Sequence, residues 1–313
     1  MQDYNNAPDN NAPRDNAAPR SKAGCWVEAA RPRTLPVSFA GVVAAVGLTL
    51  ASGATLKWVP ALICALFALL AQIASNFANE YFDYKAGIDR PGRVGPRRGV
   101  TEGDITPGAM KGALLATLGL AAVAGCSLIY WGGWWLLGAG AVIMLGALAY
   151  SAGPYPLSRH GWGEEAVEVF FGLVPVGLTY YILTGGYTAG VFVMSFAIGL
   201  LSANILVVNN YRDIDDDRAA GKVTQATRIG RPASLWLYVG RAVCGVAMTL
   251  PLWWRLSPWT LVFPAATVAM VFAVARYIKT HDGAALNPAL GKTALTLLFF
   301  AATYALCAAA TTL

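Results

Sequence analysis

Nine apolar runs, near 35–53, 59–78, 110–130, 134–152, 165–184, 187–208, 233–252, 257–275 and 293–312, account for most of this chain. Each is about 17–22 residues long, the length at which a helix crosses the hydrocarbon core of a bilayer. A chain so patterned is expected to be all-α, a multi-pass membrane protein of nine transmembrane helices. Composition agrees: 56% of residues are hydrophobic and only 13% charged, and 33 glycines, with many alanines, sit among the apolar runs. Small residues of this kind let helices approach closely inside lipid. Ahead of the first run lies MQDYNNAPDNNAPRDNAAPRSKAG, a segment of Asn, Ala, Pro and mixed charge with nothing apolar to bury and no signal-peptide core. The expected division is a disordered tail over 1–28 and a transmembrane domain over 29–313.

Lys and Arg collect on the cytoplasmic side of membrane proteins. The connections after helices 2, 4, 6 and 8 carry Lys85, Arg90, Arg159, Arg218, Arg276 and their basic neighbours, whereas the opposite connections hold only Lys57 and Arg255. The pattern predicts a cytoplasmic N-terminus and an outer C-terminus. Trp58, Trp131, Trp134, Trp135, Trp253, Trp254 and Trp259 fall at the outer turns, as an interfacial belt would. The net charge of +6 then reflects topology, and nucleic-acid binding is a poor account of it. Cys25, Cys64, Cys126, Cys244 and Cys307 lie far apart and read as small apolar fillers. His160 and His281, both in loops, are too isolated to form a metal cluster.

Two polar patches interrupt the apolar pattern at the cytoplasmic ends of runs, Asn79-Glu-Tyr-Phe-Asp83-Tyr-Lys-Ala-Gly-Ile-Asp89 and Asn209-Asn-Tyr-Arg-Asp213-Ile-Asp-Asp-Asp217. A carboxylate at the centre of a membrane helix costs about 2.5–3.5 kcal/mol on insertion scales, so acids kept in such segments mark function. Helical spacing of i, i+4 puts Asn79 with Asp83 on one face, and Asn209 with Asp213 and Asp217 on another. Gly87 is a candidate helix stop that lets Asp89 fold back toward the same cavity. Oxygen-only donors suit Mg²⁺, which binds through one or two carboxylates plus substrate phosphates, and the lack of Cys and His argues against zinc. Two such clusters facing each other could hold two Mg²⁺ ions with a diphosphate between them. Arg93, Arg97 and Arg98 follow the first patch, and Arg212, Lys222 and Arg228 surround the second. Guanidinium forks match phosphate oxygens and stabilise charge on a departing diphosphate.

With these motifs the chain resembles the UbiA superfamily of intramembrane aromatic prenyltransferases, over about residues 29–312. The marks are Arg31-Pro-Arg-Thr-Leu-Pro36, the Asn79-x3-Asp83-x3-Gly87-x-Asp89 motif followed by Arg93-Val-Gly-Pro-Arg-Arg-Gly99, Tyr150-Ser-x-Gly-Pro-x-Pro-Leu157 with Gly161-x-Gly-Glu164, and Asn209-Asn-x-Arg-Asp213-x3-Asp217-x3-Gly221-Lys222-x-Thr224. No Lys follows Tyr150-Ser, which fits the branch that prenylates 1,4-dihydroxy-2-naphthoate in menaquinone biosynthesis rather than the 4-hydroxybenzoate branch.

The resemblance implies a helical bundle around a central cavity that opens sideways to lipid, with cytoplasmic caps closing over the diphosphate. It implies a polyprenyl diphosphate donor, an aromatic acceptor and Mg²⁺ held by Asp83, Asp89, Asp213 and Asp217. Asp83, Asp213 and Arg97 would be catalytic, and Asn79, Arg93, Asn209, Lys222 and Arg228 would bind diphosphate. Arg33 and Arg97 are candidates for the acceptor's carboxylate, and Tyr150 and Tyr155 for shielding an allylic cation. Glu164 and Glu165 open helix 5, where a helix N-terminus favours negative charge as readily as catalysis does. A different acceptor within the superfamily is the first alternative. A transporter would instead place its acids at the bilayer midplane on broken helices.

Overall fold

The computed structural model describes residues 21–89 and 97–312. A short helix α1 (Lys22–Ala30) begins within the expected tail, so the boundary placed after residue 28 falls inside ordered chain. Its capping residue Ser21 accepts a hydrogen bond from the Gly24 N–H at 3.1 Å, and Cys25 and Ala29 are buried beside Phe77 and Ala78. A tail judged on mean polarity hides these few apolar positions because they fill only one face of nine residues.

Ten further helices follow: α2 (Pro36–Ala51), α3 (Trp58–Lys85), α4 (Pro107–Gly132), α5 (Leu136–Ala149), α6 (Gly163–Thr184), α7 (Ala189–Arg212), α8 (Ile214–Ala219), α9 (Gln225–Leu256), α10 (Pro258–Thr280) and α11 (Gly283–Thr311). Seven of them, α3, α4, α6, α7, α9, α10 and α11, are long and apolar enough to cross a membrane. The other two runs of the expected nine form the shorter apolar helices α2 and α5. At 16 and 14 residues they rise about 24 and 21 Å, short of a 30 Å core. The expectation of nine full spans counted flanking residues that leave the helix, such as Tyr150 and Ser151. The chain is an integral membrane protein built wholly of helices among its described residues.

Helix α7 is the centre of the bundle: 78% of its apolar window is buried, against 22% for α3 at the rim. The main core joins side chains of α2, α6, α7, α9, α10 and α11. Close approach makes this possible. A Cβ on Gly47 of α2 would lie 2.8 Å from the Cα of Ala305 on α11, so only glycine lets these two backbones touch. In α6, residues Glu168–Leu173 widen into a π-helical turn where Gly172 meets the backbone of Gly199 on α7. Such turns inside helices are frequent at functional sites.

The aromatic belt holds at one end of the bundle, where Trp58, Trp134, Trp254 and Trp259 are well exposed. Trp253 departs from it. That ring is fully buried and packs against Phe300 and Tyr304, with centroids 5.6 and 5.1 Å away, because its phase on α9 points inward while Trp254 points out. The five cysteines are free, with Cys25 and Cys64 buried as fillers. His160 stacks on Tyr155 and His281 on Tyr277, with centroids 3.8 and 3.9 Å apart.

Candidate active site

A cavity of about 1020 Å³ runs down among α1, α2, α3, α4, α5 and α6, with its polar end opposite the tryptophans. Its ceiling is polar and its bore apolar. The first acid patch forms much of the ceiling, and Asn79 is its hub. The Asn79 Oδ1 accepts from Arg31 Nη2 at 2.5 Å and from Arg98 Nη2 at 2.9 Å. Its Nδ2 donates to Asp83 Oδ2 at 2.9 Å and to Ser151 Oγ at 3.1 Å. The i, i+4 spacing thus does place Asn79 and Asp83 on one face. Asp83 also receives Arg159 Nη2 at 2.8 Å. Gly87 adopts φ 69°, a left-handed turn that L-residues with a Cβ avoid. It ends α3 and carries Asp89 back over the cavity, where Arg98 Nε lies 3.2 Å away.

The second patch is less uniform. Asn209, Asp216, Asp217 and Lys222 line the cavity, and Lys222 Nζ sits 3.1 Å from Asp217 Oδ1. Asp213 does not line it. Its two oxygens accept from Arg212 Nε and Nη2 at 2.6 and 2.7 Å, and both side chains are 1% exposed. Arg212 reaches on to Asn209 Oδ1 and to Asn287 Oδ1, each at 2.8 Å. The i, i+4 argument assumed one helix through 217, but the chain leaves helical geometry at Asp213 (φ −91°, ψ 9°) between α7 and α8. Asp213 is held behind the ceiling by Arg212, and past it Asp216 comes to the cavity beside the expected Asp217.

The remaining expected site residues divide. Arg33 and Tyr150 line the cavity, Arg33 from an exposed position at its rim. Arg97 also lines it, but its guanidinium is held by Asp104 at 2.8 and 3.1 Å, with Glu102 at 3.4 Å. The Asp104 hydrogen bond holds the Arg97 pKa above its ordinary value. Arg228 is away from the cavity and donates to the His160 carbonyl at 3.1 Å. Tyr155 is exposed on the loop and stacks on His160. Arg93 lies outside the described residues. Glu164 and Glu165 do open α6, yet Glu164 is buried and accepts from Asn210 at 2.8 Å, while Glu165 accepts from Gln225. They tie α6 to α7 and α9.

Sequence reasoning missed two cations that touch the first patch, Arg31 and Arg159, and named Arg98 among the diphosphate cations without finding its partner Asn79. Arg31 and Arg98 stand inside the quoted motifs beside the residues chosen from them, Arg33 and Arg97. Arg159 had no such signal. It supplies a cation from the loop after Tyr150-Ser where the sequence lacks a Lys, and it is carried there by the Val223 N–H donating to its carbonyl at 3.0 Å.

Among the described residues no three His, Cys, Asp or Glu side chains come together as a ready metal cage. One or two carboxylates at a time, with amide oxygens beside them, fit a hard ion that keeps waters and draws its other ligands from phosphate. Deeper in, the walls become apolar with Phe67, Ile143, Phe170 and Leu178. A ceiling of paired acids and bases over such a bore suits a molecule with a highly charged head and a long hydrocarbon tail.

Residues 40–290 match the UbiA prenyltransferase family. The chain is 36% identical over 276 residues to the 1,4-dihydroxy-2-naphthoate octaprenyltransferase of Mycobacterium tuberculosis, covering 88% of this chain and 94% of that protein. It is 34% identical over 286 residues to the Escherichia coli protein of the same name, covering 87% and 91%. Among solved structures, a UbiA homolog from Aeropyrum pernix superposes with TM-score 0.66 at 16% identity, over 85% of this chain and 96% of that one. A UbiA homolog from Archaeoglobus fulgidus bound to GPP and Mg²⁺ gives 0.61 at 16% identity, over 91% and 99%. This chain belongs to the UbiA prenyltransferase family.

Proposed function

We propose that this protein transfers a polyprenyl group from its diphosphate to 1,4-dihydroxy-2-naphthoate, with loss of the ring carboxylate as carbon dioxide, to give demethylmenaquinol, the reduced form of demethylmenaquinone. The observation that carries the reading is the cavity itself, with both motifs and their cations at one end and a hydrocarbon-lined bore below. The relatives named for this reaction match most of the chain, which supports the choice of acceptor.

Diphosphate is placed at the ceiling, where Arg31, Arg98, Lys222 and the rim residue Arg33 offer it donors. Mg²⁺, when bound at Asp83, Asp89 and Asp217, would neutralise charge on the leaving diphosphate. Asn79 orients the first patch through its four hydrogen bonds, so the cations that meet diphosphate are fixed before it arrives, the arrangement that makes electrostatic stabilisation effective. As the allylic C–O bond breaks, its electron pair leaves with the diphosphate. A ring carbon of the naphthoate supplies the pair for the new C–C bond, and the pair from the bond to the departing carboxylate restores the ring. The apolar bore excludes water that would quench the allylic centre. Tyr150 stands between ceiling and bore, where an aromatic face can meet developing positive charge. Asp213 and Arg212 support Asn209 from behind.

The polar end faces the cytoplasm in this reading, supported by the bias of loop Lys and Arg toward that end. The test is incubation of the purified protein in lipid nanodiscs with farnesyl diphosphate, Mg²⁺ and either 1,4-dihydroxy-2-naphthoate or 4-hydroxybenzoate. The expected result is a prenylated, decarboxylated product from the naphthoate alone. Prenylated 4-hydroxybenzoate as the main product would overturn the acceptor, and no product from either would overturn the reaction.

A further inference from the structure

The bore is closed at the end away from the ceiling. Five buried side chains from five helices, Val42 of α2, Cys64 of α3, Leu128 of α4, Leu136 of α5 and Ile182 of α6, form one apolar cluster, and all five line the cavity. None is more than 7% exposed. Gly132 lets this plug close: a Cβ there would run into Leu136 and lie 3.2 Å from Ile182.

Two helices give the depth of the bore independently. Asn79 and Cys64 are separated by fifteen positions on α3, about 22 Å at 1.5 Å per residue. Tyr150, at the end of α5, and Leu136 are separated by fourteen, about 21 Å. An extended peptide residue spans about 3.5 Å with three backbone bonds, so a four-bond isoprene unit spans roughly 4.5 Å and the bore holds about four or five in line. An eight-unit tail needs roughly 36 Å on the same scale, so its last units turn aside above the floor.

We propose that this five-residue floor is a specificity element that reads the fourth and fifth isoprene units of the donor. The inference rests on the prenyl-transfer reading and adds to it a residue-level account of which part of the tail is recognised. A straight tail of two units ends far above the floor. A tail of four reaches it and packs on the plug, gaining apolar contact that the shorter donor cannot make.

The experiment compares kcat/KM for geranyl and geranylgeranyl diphosphate, donors of two and four units, in the wild type, Cys64→Phe and Val42→Phe. A ring introduced at either position lifts the floor by about one unit. The expected result is a geranylgeranyl to geranyl ratio at least tenfold lower in both variants, with Ala265→Phe, on α10 away from the cavity, leaving the ratio at the wild-type value. A loss of fold or of general activity moves both donors together and does not lower the ratio. Equal ratios in all four proteins would overturn the floor. A second measurement needs neither turnover nor a variant: geranylgeranyl diphosphate carrying a terminal diazirine, photolysed on the wild type, should label peptides containing Cys64 or Leu136. Labelling confined to the outward-facing Val142 and Leu145 of α5 would overturn the proposal. Absence of product from both donors in the wild type would strike the prenyl-transfer reading, and labelling would still decide the floor.

Discussion

Replacing Asp83 by Asn tests the ceiling at the point where the most interactions meet. The two side chains are nearly the same shape, but the carboxylate accepts on both oxygens, from Arg159 at 2.8 Å and from Asn79 at 2.9 Å. An amide has one acceptor. Asn at 83 can satisfy Arg159 or Asn79, and then turns an N–H₂ toward the other donor. The lost charge-assisted bond is worth about 1.5–3 kcal/mol. Loss of one preorganised electrostatic partner at a reacting charge typically costs about 2.7–4 kcal/mol in the barrier, or 10²–10³ in rate. Asp83→Asn should therefore reduce kcat/KM for farnesyl diphosphate by about 10²–10³, measured by product mass at fixed naphthoate and Mg²⁺.

Ser151→Ala removes only a neutral 3.1 Å bond to Asn79, about 1 kcal/mol and so about fivefold. If Asp83 acts together with Arg159, the double variant Asp83→Asn with Arg159→Gln should be no slower than Asp83→Asn alone, a coupling that independent sites do not show. An Asp83→Asn protein within threefold of wild type, or full additivity with Arg159→Gln, would refute the reasoning.

Asp213→Asn should lose both activity and thermal stability, since it leaves the buried Arg212 without its carboxylate and breaking such a pair costs about 3–5 kcal/mol; a normal melting temperature would contradict the buried-pair geometry. Asp217→Asn, at the cavity, should lose activity with little change in melting. EDTA should abolish turnover, Mg²⁺ or Mn²⁺ should restore it, and Zn²⁺ should not, given oxygen-only donors; full activity in EDTA would remove the metal from the mechanism. Mn²⁺ titrated alone should bind weakly and should tighten when pyrophosphate is added, whereas equal affinity in both cases would speak against a shared site. Cysteine reporters at position 220 should be shielded from impermeant reagents in intact cells and one at 132 should label; labelling at 220 from outside would invert the orientation.

Much of this was legible because long apolar runs and kept acids carry strong signals. The runs located every membrane helix, though α2 and α5 came out shorter than a full span because their ends uncoil before the polar loops. The first patch was readable to the side chain, since α3 is regular through Lys85 and period alone puts Asn79 beside Asp83. The second was readable only in part: Asn209 and Asp217 line the cavity as expected, whereas Asp213, where α7 leaves helical geometry, is taken by the buried Arg212. Loop cations were the least legible. Arg97 and Arg98 are neighbours in sequence, yet one is taken by Asp104 and the other by Asn79 and Asp89, a choice made by the tertiary path of the loop. Arg159 reaches Asp83 from 76 residues away, and no local pattern encodes that.

The sequence read as acids waiting for metal has become, in three dimensions, a set of acids already matched with bases: Asp83 with Arg159, Asp89 with Arg98, Asp217 with Lys222. Isolated carboxylates in so enclosed a place would be costly to keep ionised, whereas pairs offset much of that desolvation. The pairing also bears on the order of binding. A diphosphate entering beneath the ceiling presents oxygens that compete for the same guanidinium and ammonium donors, and a cation drawn toward phosphate leaves its carboxylate partly unpartnered. Oxygen donors for a divalent ion are then most available when the diphosphate is already in place, and least available in the empty site, where a free ion would have to displace Arg159 or Arg98 from short contacts. If the proposed function holds, binding of metal and lipid diphosphate would thereby be coupled through exchange of partners at Asn79, Asp83 and Asp89, with the apolar bore taking the tail and the ceiling the head.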